Sequence, residues 1–415
     1  MKKVLVIGGG PAGMMAAVKA AENGAEVVLL EKMKRVGKKM MITGKGRCNI
    51  TNIAEVPELI RNITGNGRFL YSVLKAFDNQ DVIQFFQAAG VPTKVERGGR
   101  VFPVSDKAED AVNAMLSRLH ELGVNIQTEA PAAHIVVQDG RAVGVQLLSG
   151  ALYRGDAVIL AVGGASYPGT GSTGDGYTMA RELGHTITEL RPSLIPLETE
   201  ETWVKDAQGL SLRNVRAVLL VDGHKAAEEF GEMMFTHFGV TGPIILSLSR
   251  IASEALQHKQ MTELVINLKP ALTPEKLQAR IKRDFEKYVN KQLKNGLHDL
   301  LPGKLIAPVL DMAYLDPDKF IHQVTREERL RLADTLQHLI LTITRTRPLH
   351  EAIVTAGGVD VREIMPKSME SKLVRGLYLA GEVVDVDAFT GGFNLQAAFS
   401  MGAAAGSWAV WNAEN

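Results

Sequence analysis

The segment Thr43–Asn52, with the sequence TGKGRCNITN, concentrates residue types that can do chemistry. It contains two glycines, two basic side chains and Cys48, the single cysteine among 415 residues. One cysteine excludes an intrachain disulfide and a cysteine-rich metal site, and it fits a reducing compartment. The Cys48 thiol could be a nucleophile, a redox group or a metal ligand, or Cys48 could be a small residue beside a bound group.

Two further side chains are candidates for proton transfer to a substrate. His237 lies in the glycine-flanked stretch MFTHFG, and Tyr167 follows the turn VGGAS. A hydrogen-bonded structural role is the alternative for both. The ten histidines form no HExxH motif and no cluster with cysteine, so we expect no protein metal site. No GxSxG motif is present, which argues against hydrolase chemistry.

A glycine motif stands near the start of the chain, between two predicted buried strands. The apolar run Val4–Ile7 precedes GGGPAG, a small-residue helix follows, and the next strand ends on Glu31. In this pattern Gly8 permits a tight turn, Gly10 lets the backbone approach a pyrophosphate, and Gly13 lets the helix pack on the strand. Glu31 is placed to bind both ribose hydroxyls of an adenosine without a 2′-phosphate. The motif predicts dinucleotide binding rather than a plain glycine-rich turn, and by itself it fits FAD or NAD.

A second glycine-opened helix is predicted near the other end of the chain. A strand at Leu377–Ala380 leads to Gly381 and Glu382, and Gly391–Asn394 open an alanine-rich helix from about Leu395. NAD binding alone does not require this helix, whereas a helix N-terminus stabilises the negative charge of a reduced flavin. Glu382 is placed for a ribityl or ribose hydroxyl. The segment therefore favours FAD, with an ordinary core helix as the alternative.

Composition and charge place few other limits on function. A hydrophobic fraction of 46% and a charged fraction of 22% are ordinary for a globular protein, and 415 residues favour two or three domains. The net charge of +1 attracts neither nucleic acid nor membrane as a whole. Three glycines and a proline interrupt the first apolar run, so we expect neither a signal peptide nor a membrane helix. A cytoplasmic protein is predicted, and no feature of the sequence indicates an oligomeric state.

The middle of the chain carries a second GxGxxG, Gly169–Gly174. No strand ending in an acidic residue follows it, so we do not expect a second dinucleotide fold; NAD(P)H could still dock transiently on the flavin. The preceding strand, within Asp156–Gly164, is expected to return to the first sheet. Strands separated by DG and SG turns around position 140 resemble the β-meander that flavoproteins insert, whose first strand meets the adenine near Ala133.

From Pro192 onward the pattern changes to β-rich and then helical. We expect an FAD-binding domain of residues 1–191 and 345–415, a β-rich substrate-side domain of residues 192–269 with about 341–350, and a helical insertion of residues 270–340. Thr273 and Thr325 are the predicted N-caps of two amphipathic helices. The fold class is thus α/β, a Rossmann-like FAD-binding domain of the three-layer ββα type with a β-rich insertion and a small helical module.

Two stretches are strongly basic. The predicted helix Glu275–Lys294 has seven Lys or Arg against three acids, and residues 31–52 have seven against one. Either could bind RNA phosphates. The alternatives are a solvated helix face for the first stretch and contact with the FAD pyrophosphate for part of the second.

Taken together, these motifs resemble the HI0933-like flavoproteins, a branch of the glutathione-reductase-type FAD proteins. The resemblance covers nearly the whole chain and includes GKKMMITGKGRCNITN (37–52), GGRVFPVSDKAEDAV (98–112), AVGGASYPGTGSTGDGYTMARELGH (161–185), GEMMFTHFGVTGP (231–243) and VTAGGVDVREIMPKSMESK (354–372). It implies FAD in an extended conformation with its ring facing an inserted domain. Members of this family have been linked to aminoacetone oxidation, to reduction of steroid-like substrates and to uridine reduction in ribosomal RNA.

The resemblance and the motifs together imply a set of FAD-binding residues. These are Gly8, Gly10, Pro11, Ala12, Gly13, Glu31, Lys32, Lys38, Thr43, Gly44, Gly46, Arg47, Cys48, Asn49, Ala133, Ala161, Gly163, Gly381, Glu382, Gly392, Asn394 and Leu395. Within the Thr43–Asn52 segment, Arg47 is expected to meet phosphate and Asn49 to bond near the ring. Because Cys48 is alone, a disulfide relay is excluded; a small side chain packed on the flavin is expected, with a thiolate or proton-donor role still open.

We therefore expect an FAD-dependent oxidoreductase, most simply an NAD(P)H-driven reductase of an unsaturated substrate such as uridine in ribosomal RNA. One alternative is an oxidase of small amines, similar to aminoacetone, that produces peroxide. Another is an RNA-binding or redox-sensing flavoprotein without turnover. No catalytic side chain is assigned; His237, Tyr167 and Cys48 are the candidates.

Overall fold

The computed structural model describes residues 1–412, which divide into two units. The discontinuous unit contains residues 1–192 and the chain from Leu349 onward, and the inserted unit is Ser193–Pro348. The boundaries expected from the sequence, at 191/192 and near 345, lie within a few residues of these. The structure places the expected β-rich and helical parts together in the inserted unit, around one apolar core.

A five-stranded parallel sheet forms the centre of the discontinuous unit. The strand order across it is Leu377–Leu379, Ala157–Leu160, Lys3–Ile7, Glu26–Leu30 and Asn125–Gln127. All four strand pairs are parallel, and Ile7 lies opposite both Leu30 and Leu160. The strand ends therefore align at one edge of the sheet. The prediction that Ala157–Leu160 returns to the first sheet is confirmed.

The first and last long helices pack against each other, so both ends of the chain belong to one core. The helix Pro11–Glu22 lies along the helix Phe393–Trp411. A Cβ added at Gly402 would come within 2.2 Å of the Ala12 carbonyl oxygen, and one at Gly406 equally close to that of Ala16. The two glycines thus allow the two helix backbones to approach each other more closely than any larger residue would permit.

The remaining elements of the discontinuous unit surround the sheet. One three-stranded antiparallel sheet consists of Thr51–Asn52, Arg100–Pro103 and Thr93–Glu96, and another of Ala132–Gln138, Arg141–Leu147 and Leu152–Arg154. The second sheet is the predicted meander, with its turn at Asp139 and Gly140. The helices are Lys38–Ile42, Val56–Asn62, Tyr71–Ala76, Asn79–Ala88, Ala108–Glu121 and Asp175–Glu182.

The inserted unit is built on a closed six-stranded barrel. In order around the barrel, the strands are Leu197–Thr199, Gly239–Thr241, His224–Phe235, Ser211–Val221, Thr262–Asn267 and Leu339–Thr346. Its helices are Pro243–Gln257, Pro274–Lys287, Leu293–Gly296, Gly303–Met312 and Arg326–Gln337. Thr273 and Thr325 cap their helices as predicted, each accepting a backbone N–H with its side chain.

Shorter elements complete the described chain. Two three-residue strands are Arg191–Ser193 and Val354–Ala356. The 3₁₀ turns are Thr43–Gly46, Gly67–Leu70, Arg97–Gly99, Pro168–Thr170, Thr202–Lys205, Ile321–Gln323, Leu349–Glu351 and Val361–Glu363. Among residues 1–412, no helix combines the length and apolar character needed to cross a membrane.

Candidate cofactor site

An open cleft lies at the edge where the parallel strands end. Ile7, Leu30 and Ala161, at or just after the ends of three neighbouring strands, contribute to its lining. Ligands of open α/β sheets bind at this edge, because loops and helix N-termini converge there. The cleft is therefore the candidate nucleotide site.

The three glycines of the first motif have different surroundings. Gly8 has φ +101°, and a Cβ added at Gly13 would lie 1.9 Å from the Gly8 carbonyl oxygen. Both positions therefore need glycine for the fold itself. A Cβ added at Gly10 would meet no atom within 4 Å, although Gly10 lines the cleft. Gly10 thus leaves room for a ligand at the start of the Pro11–Glu22 helix, where unbonded N–H groups attract phosphate.

Glu31 lies at the end of the second strand and faces the cleft. Its two carboxylate oxygens accept backbone N–H groups, Oε2 from Gly9 and Oε1 from Met33, each at 2.7 Å. Burial raises the pKa of Glu31, and these two hydrogen bonds oppose that shift. The carboxylate is thus fixed in place beside the glycine turn. Its contact with a ribose stays a prediction.

The second glycine motif forms another wall of the same cleft. Thr170, Gly171 and Ser172 line the cleft, as does Asp175 at the start of the next helix. Lys32 Nζ reaches across to Asp175 at 2.8 Å and to Thr173 at 2.6 Å. The second motif is therefore part of the first nucleotide site, in agreement with the expectation of no second dinucleotide fold.

The charge of the cleft suits a pyrophosphate. Its lining includes four basic residues and two acidic ones, a net charge of +2. They are Lys32, Arg35, Lys38 and Lys39, against Glu31 and Asp175. Lys38 donates to the Gly169 carbonyl at 3.1 Å, which leaves its remaining N–H groups available to a ligand.

Glu382 belongs to a polar network that links distant parts of the discontinuous unit. Its Oε1 accepts from the Thr355 backbone at 2.7 Å and from Ser166 Oγ at 2.9 Å, and its Oε2 pairs with Lys39 Nζ at 2.7 Å. Lys39 also bonds Ser166 at 2.7 Å. Sequence reasoning missed Lys39 and Ser166; the doubled lysine of GKKMM was the available signal for Lys39. The predicted bond from Glu382 to a ribityl or ribose hydroxyl stays untested.

The last helix begins at Phe393, close to the position expected from the sequence. Gly392 precedes it with φ +97°, and a Cβ added there would lie 2.3 Å from the Thr51 carbonyl oxygen. The Asn394 amide bonds both the N–H and the carbonyl of Ala388, at 3.0 and 2.8 Å. Asn394 therefore holds the preceding loop, which is a different role from the cofactor contact predicted for it. A Cβ at Gly381 would contact Ala12, so these two predicted residues lie side by side.

Arg47 does not occupy the position predicted for it. Its guanidinium bonds Glu96 and Asp106 and lies 4.2 Å over the ring of Phe102. It is absent from the residues that line the cleft. The expectation that Arg47 meets phosphate is therefore replaced by a role in binding two carboxylates of its own chain.

Cys48 is fully buried and forms no disulfide. Burial raises the pKa of its thiol to about 12, so the thiol is protonated at neutral pH. A buried, protonated thiol argues against the thiolate role that the sequence left open. Next to it, Asn49 Oδ1 is buried without a hydrogen-bond partner in the described part of the chain. Thr43, at the start of the loop, bonds the Met40 carbonyl with its hydroxyl at 2.7 Å.

The remaining predicted residues are placed as follows. Ala161 and Gly163 line the cleft, whereas Ala133 does not; Ala132 does. The register of the meander shifts between Ala132 and His134, so Ala133 lies at a bulge, and its contact with an adenine stays a prediction. Tyr167 lies in the discontinuous unit with φ +50°.

His237 lies in the inserted unit, on the exposed turn between the barrel strands His224–Phe235 and Gly239–Thr241. Its ring meets Phe238 edge to face, with the ring centroids 4.9 Å apart. No described contact distinguishes Tyr167 or His237 as a proton donor, and both stay candidates.

A serine, a histidine and a glutamate away from the cleft have the connectivity of a hydrolase triad. Ser371 Oγ lies 2.9 Å from His185 Nε2, and His185 Nδ1 lies 3.0 Å from Glu363. However, Ser371 Oγ also accepts the N–H groups of Leu373 and Val374, and both Ser371 and His185 are buried. A nucleophile needs a free lone pair and access to substrate, so this arrangement is structural. Within residues 1–412, no group of three or more His, Cys, Asp or Glu is arranged to hold a metal ion.

The residues present fit FAD. The cleft combines an open approach over Gly10, a net positive lining and a fixed carboxylate at the second strand. The fold and the cleft together define a flavoprotein oxidoreductase with a Rossmann-type FAD-binding domain.

Comparison with known proteins makes the assignment specific. The chain belongs to the HI0933-like family, whose model, described as the HI0933-like protein Rossmann domain, matches residues 2–408. The resemblance found in the sequence motifs is thereby confirmed.

Two curated relatives match over nearly their whole length. The chain is 31% identical to the 3-dehydro-bile acid delta(4,6)-reductase of Clostridium scindens, over 98% of each protein. It is 30% identical to the ribosomal RNA dihydrouridine synthase of Haemophilus influenzae, over 95% of each. Among solved structures, a flavocytochrome c3 fumarate reductase in an open conformation matches with a TM-score of 0.56 and 17% identity, over 100% of this chain and 79% of that one. The last likeness concerns the fold alone.

Proposed function

We propose that the protein is a reductase that draws electrons from NAD(P)H and uses them to saturate an electron-poor carbon–carbon double bond. The observation that carries this proposal is the match over 95% or more of the chain to relatives named as a reductase and as dihydrouridine synthases. Dihydrouridine is uridine with one ring double bond reduced. Bound FAD supplies hydride transfer for such a reaction.

The state of Cys48 supports a diffusible electron donor. A flavoprotein that passes electrons through its own thiols needs two cysteines, or at least a thiolate, beside the ring. This chain has one cysteine, and burial holds the pKa of its thiol near 12. Since the second glycine motif belongs to the same cleft as the first, we infer that the nicotinamide docks transiently rather than in a fold of its own.

The two ends of the chain would bind the cofactor between them. The Pro11–Glu22 helix offers its N-terminus to the pyrophosphate, and Lys32 and Lys38 add positive charge at the same place. The Phe393–Trp411 helix has no side-chain cap, so its first N–H groups can stabilise negative charge on the flavin ring.

Uridine in ribosomal RNA is the substrate we propose first, and the basic helix of the inserted unit supports it. Three of the seven basic residues noted in the sequence form ion pairs: Arg280 with Asp284, Lys287 with Asp299 and Lys294 with Asp318. Lys276 and Arg283 are exposed and lie on one helix face, seven residues apart. Exposed cations on one face can bind successive phosphates, and we infer a cytoplasmic location where ribosomal RNA is found.

The first experiment asks whether the flavin accepts electrons from a nicotinamide. Anaerobic mixing of the FAD-loaded protein with NADPH or NADH should bleach the visible flavin band. Absence of bleaching with both donors would contradict the reductase proposal. Reduction by a small amine instead, with release of peroxide in air, would favour the oxidase alternative.

The second experiment identifies the substrate. Ribosomal RNA from a deletion strain should lack a dihydrouridine that reappears when the gene is restored. A 3-dehydro-bile acid is the second candidate, because the C. scindens relative covers 98% of the chain. If the RNA maps of the two strains agree and the purified protein saturates the bile acid, the substrate assignment changes while the reaction class stands.

Charge reversal tests the RNA contact separately. The pair Lys276→Glu and Arg283→Glu should weaken RNA binding and reduce its salt dependence, because two phosphate contacts are lost. Arg213→Glu with Arg326→Glu, two exposed arginines elsewhere in the inserted unit, is the matched control and should bind like wild type. Equal loss in both pairs would show a general charge effect rather than a binding face.

A further inference from the structure

The loop from Thr43 to Asn49 has an unusual backbone. Gly44, Lys45 and Gly46 have φ of +58°, +60° and +83°, and Cys48 has φ +59°. Two of these four residues carry a Cβ, for which the left-handed conformation is strained. Strained backbone of this kind persists only where surrounding contacts determine it, and such segments cluster at functional sites.

Arg47 is the member of this loop that makes the contacts. Its own backbone is right-handed, with φ −97°, and its side chain leaves the loop toward the neighbouring hairpin. Nε donates to Asp106 at 2.8 Å, the Nη groups bind Glu96, and the guanidinium stacks 4.2 Å from Phe102. A planar fork that binds two carboxylates and stacks on a ring is a use of arginine that lysine does not reproduce.

Phe102 also limits the space beside Gly44, on the other side of the loop. A Cβ added at Gly44 would lie 3.3 Å from the Phe102 ring and 3.1 Å from the Asn49 backbone nitrogen. The loop therefore folds around Phe102, with Gly44 close to the ring edge and Arg47 over the ring. Asn49 follows directly, and its Oδ1 is buried without a partner. A buried acceptor without a donor is costly, and a donor on a ligand would satisfy it.

We propose that Arg47 is a positioning residue: by binding Glu96, Asp106 and Phe102 it holds the Thr43–Asn49 loop in its left-handed form and presents Asn49 Oδ1 to a donor on bound FAD. The inference rests on the FAD of the proposed function. It does not depend on the electron donor or the substrate. Arg47 acts through the loop, because its side chain is bound by Glu96, Asp106 and Phe102 and does not line the cleft.

The structure provides a matched control. Arg100 lies over the same ring at 5.7 Å and is 4.0 Å from the same Glu96 carboxylate, but it belongs to the hairpin rather than the loop. Arg47→Ala and Arg100→Ala therefore remove similar charges from one place. Only the first releases the loop.

The test measures FAD affinity by titrating FAD into flavin-depleted protein and following its fluorescence. Arg47→Ala should weaken FAD binding about 10- to 100-fold, by analogy with the loss that follows removal of residues that orient the protein ligands of a metal. Arg100→Ala should stay within about twofold of wild type. Arg47→Lys should fall between the two, since one point charge cannot engage both carboxylates. Equal affinities of the two alanine variants would overturn the proposal.

A double-mutant cycle separates positioning from general destabilisation. If Arg47 acts through Asn49, Arg47→Ala should cost little further affinity in the Asn49→Ala protein. Additive losses would overturn the proposal. The FAD affinities of the two single variants can be compared even if Arg47→Ala lowers the melting temperature. Failure of NAD(P)H to reduce the flavin would contradict the reductase and leave this result standing, whereas wild-type protein that binds no FAD would overturn both.

Discussion

Two segments of this chain share the GxGxxG pattern, yet they differ in almost every structural respect. The first, Gly8–Gly13, follows its strand at once and opens a helix of 12 residues. The second, Gly169–Gly174, begins inside a 3₁₀ turn at Pro168–Thr170 and precedes a helix of eight residues. Both line one cleft. The GxGxxG pattern alone therefore does not identify a dinucleotide-binding fold. The number of residues between the preceding strand and the motif distinguishes the two segments.

The close contacts show the same difference. At the first motif, a Cβ on Gly13 would come within 1.9 Å of a backbone oxygen. At the second, a Cβ on Gly174 would stay 3.5 Å from its nearest neighbours, and one on Gly169 would meet nothing within 4 Å. The first motif is thus required by packing between a helix and a strand, and the second mainly by the path of a loop.

The largest effect is expected at Gly13. Gly13→Ala places a methyl group against the Gly8 carbonyl, so the helix must move away from the strand, at a cost of about 3 kcal/mol in the free energy of unfolding. Urea unfolding and the FAD content of the purified protein measure this. A Gly13→Ala protein of normal stability and flavin content would remove the distinction between the two motifs.

Gly10 and Gly169 form a pair in which neither added methyl group meets protein atoms. Gly10→Ala should lower the free energy of unfolding by no more than about 1 kcal/mol, the typical cost of an alanine at an N-cap. Its methyl group should nevertheless weaken FAD binding about tenfold or more, equivalent to about 1.4 kcal/mol. Gly169→Ala should change neither quantity. Equal loss of affinity in both variants would mean that the second motif also contacts the phosphates.

The ion pair between Lys32 and Asp175 joins the two motifs, and it can be broken from either side. If Lys32 contributes charge to the pyrophosphate, Lys32→Met should weaken FAD binding several-fold, while Asp175→Asn should leave it unchanged or improved. Both side chains are partly exposed, so the pair itself contributes at most about 1 kcal/mol. Similar losses in the two variants would show that the pair, rather than the lysine charge, matters.

The smallest expected effect is the pH dependence of stability that Glu31 causes. The second motif is not followed by a strand that ends in such an acidic residue. Burial raises the pKa of this carboxyl in the folded protein. Because the pKa of Glu31 is raised in the folded state, the contribution of this carboxyl to stability is complete at pH values below its unfolded-state pKa of about 4.3. That contribution is lost as the pH rises through the folded-state pKa. Without FAD, the free energy of unfolding of wild type should therefore fall relative to Glu31→Gln as the pH rises from about 4 to neutrality. Parallel pH profiles would contradict this.

The sequence predicted the features that depend on neighbours in the chain. The first strand–turn–helix and the caps at Thr273 and Thr325 follow from local patterns, whereas the return of Ala157–Leu160 to the sheet and the meander are expected from the likeness to flavoproteins. Hydrophobic runs, glycines and capping residues act over a few positions, so a single sequence is enough to read them.

The features that the sequence did not reveal depend on distant partners. Arg47 meets Glu96 and Asp106, which are 49 and 59 residues away, and Lys39 meets Glu382 across 343 residues. Nothing near Arg47 indicates that carboxylates rather than phosphates will neutralise it. The bulge beside Ala133 and the closure of six strands into a barrel are likewise set by pairing that no local pattern encodes.

The packing of Gly402 and Gly406 on Ala12 and Ala16 has a consequence for biosynthesis. The first strand, its glycine turn and the helix Pro11–Glu22 leave the ribosome early, but the helix that covers them is made some 370 residues later. The inserted unit, residues 193–348, is complete before that helix emerges. The helix Pro11–Glu22 therefore lacks its packing partner until translation is nearly complete, whereas the inserted unit can fold before that point.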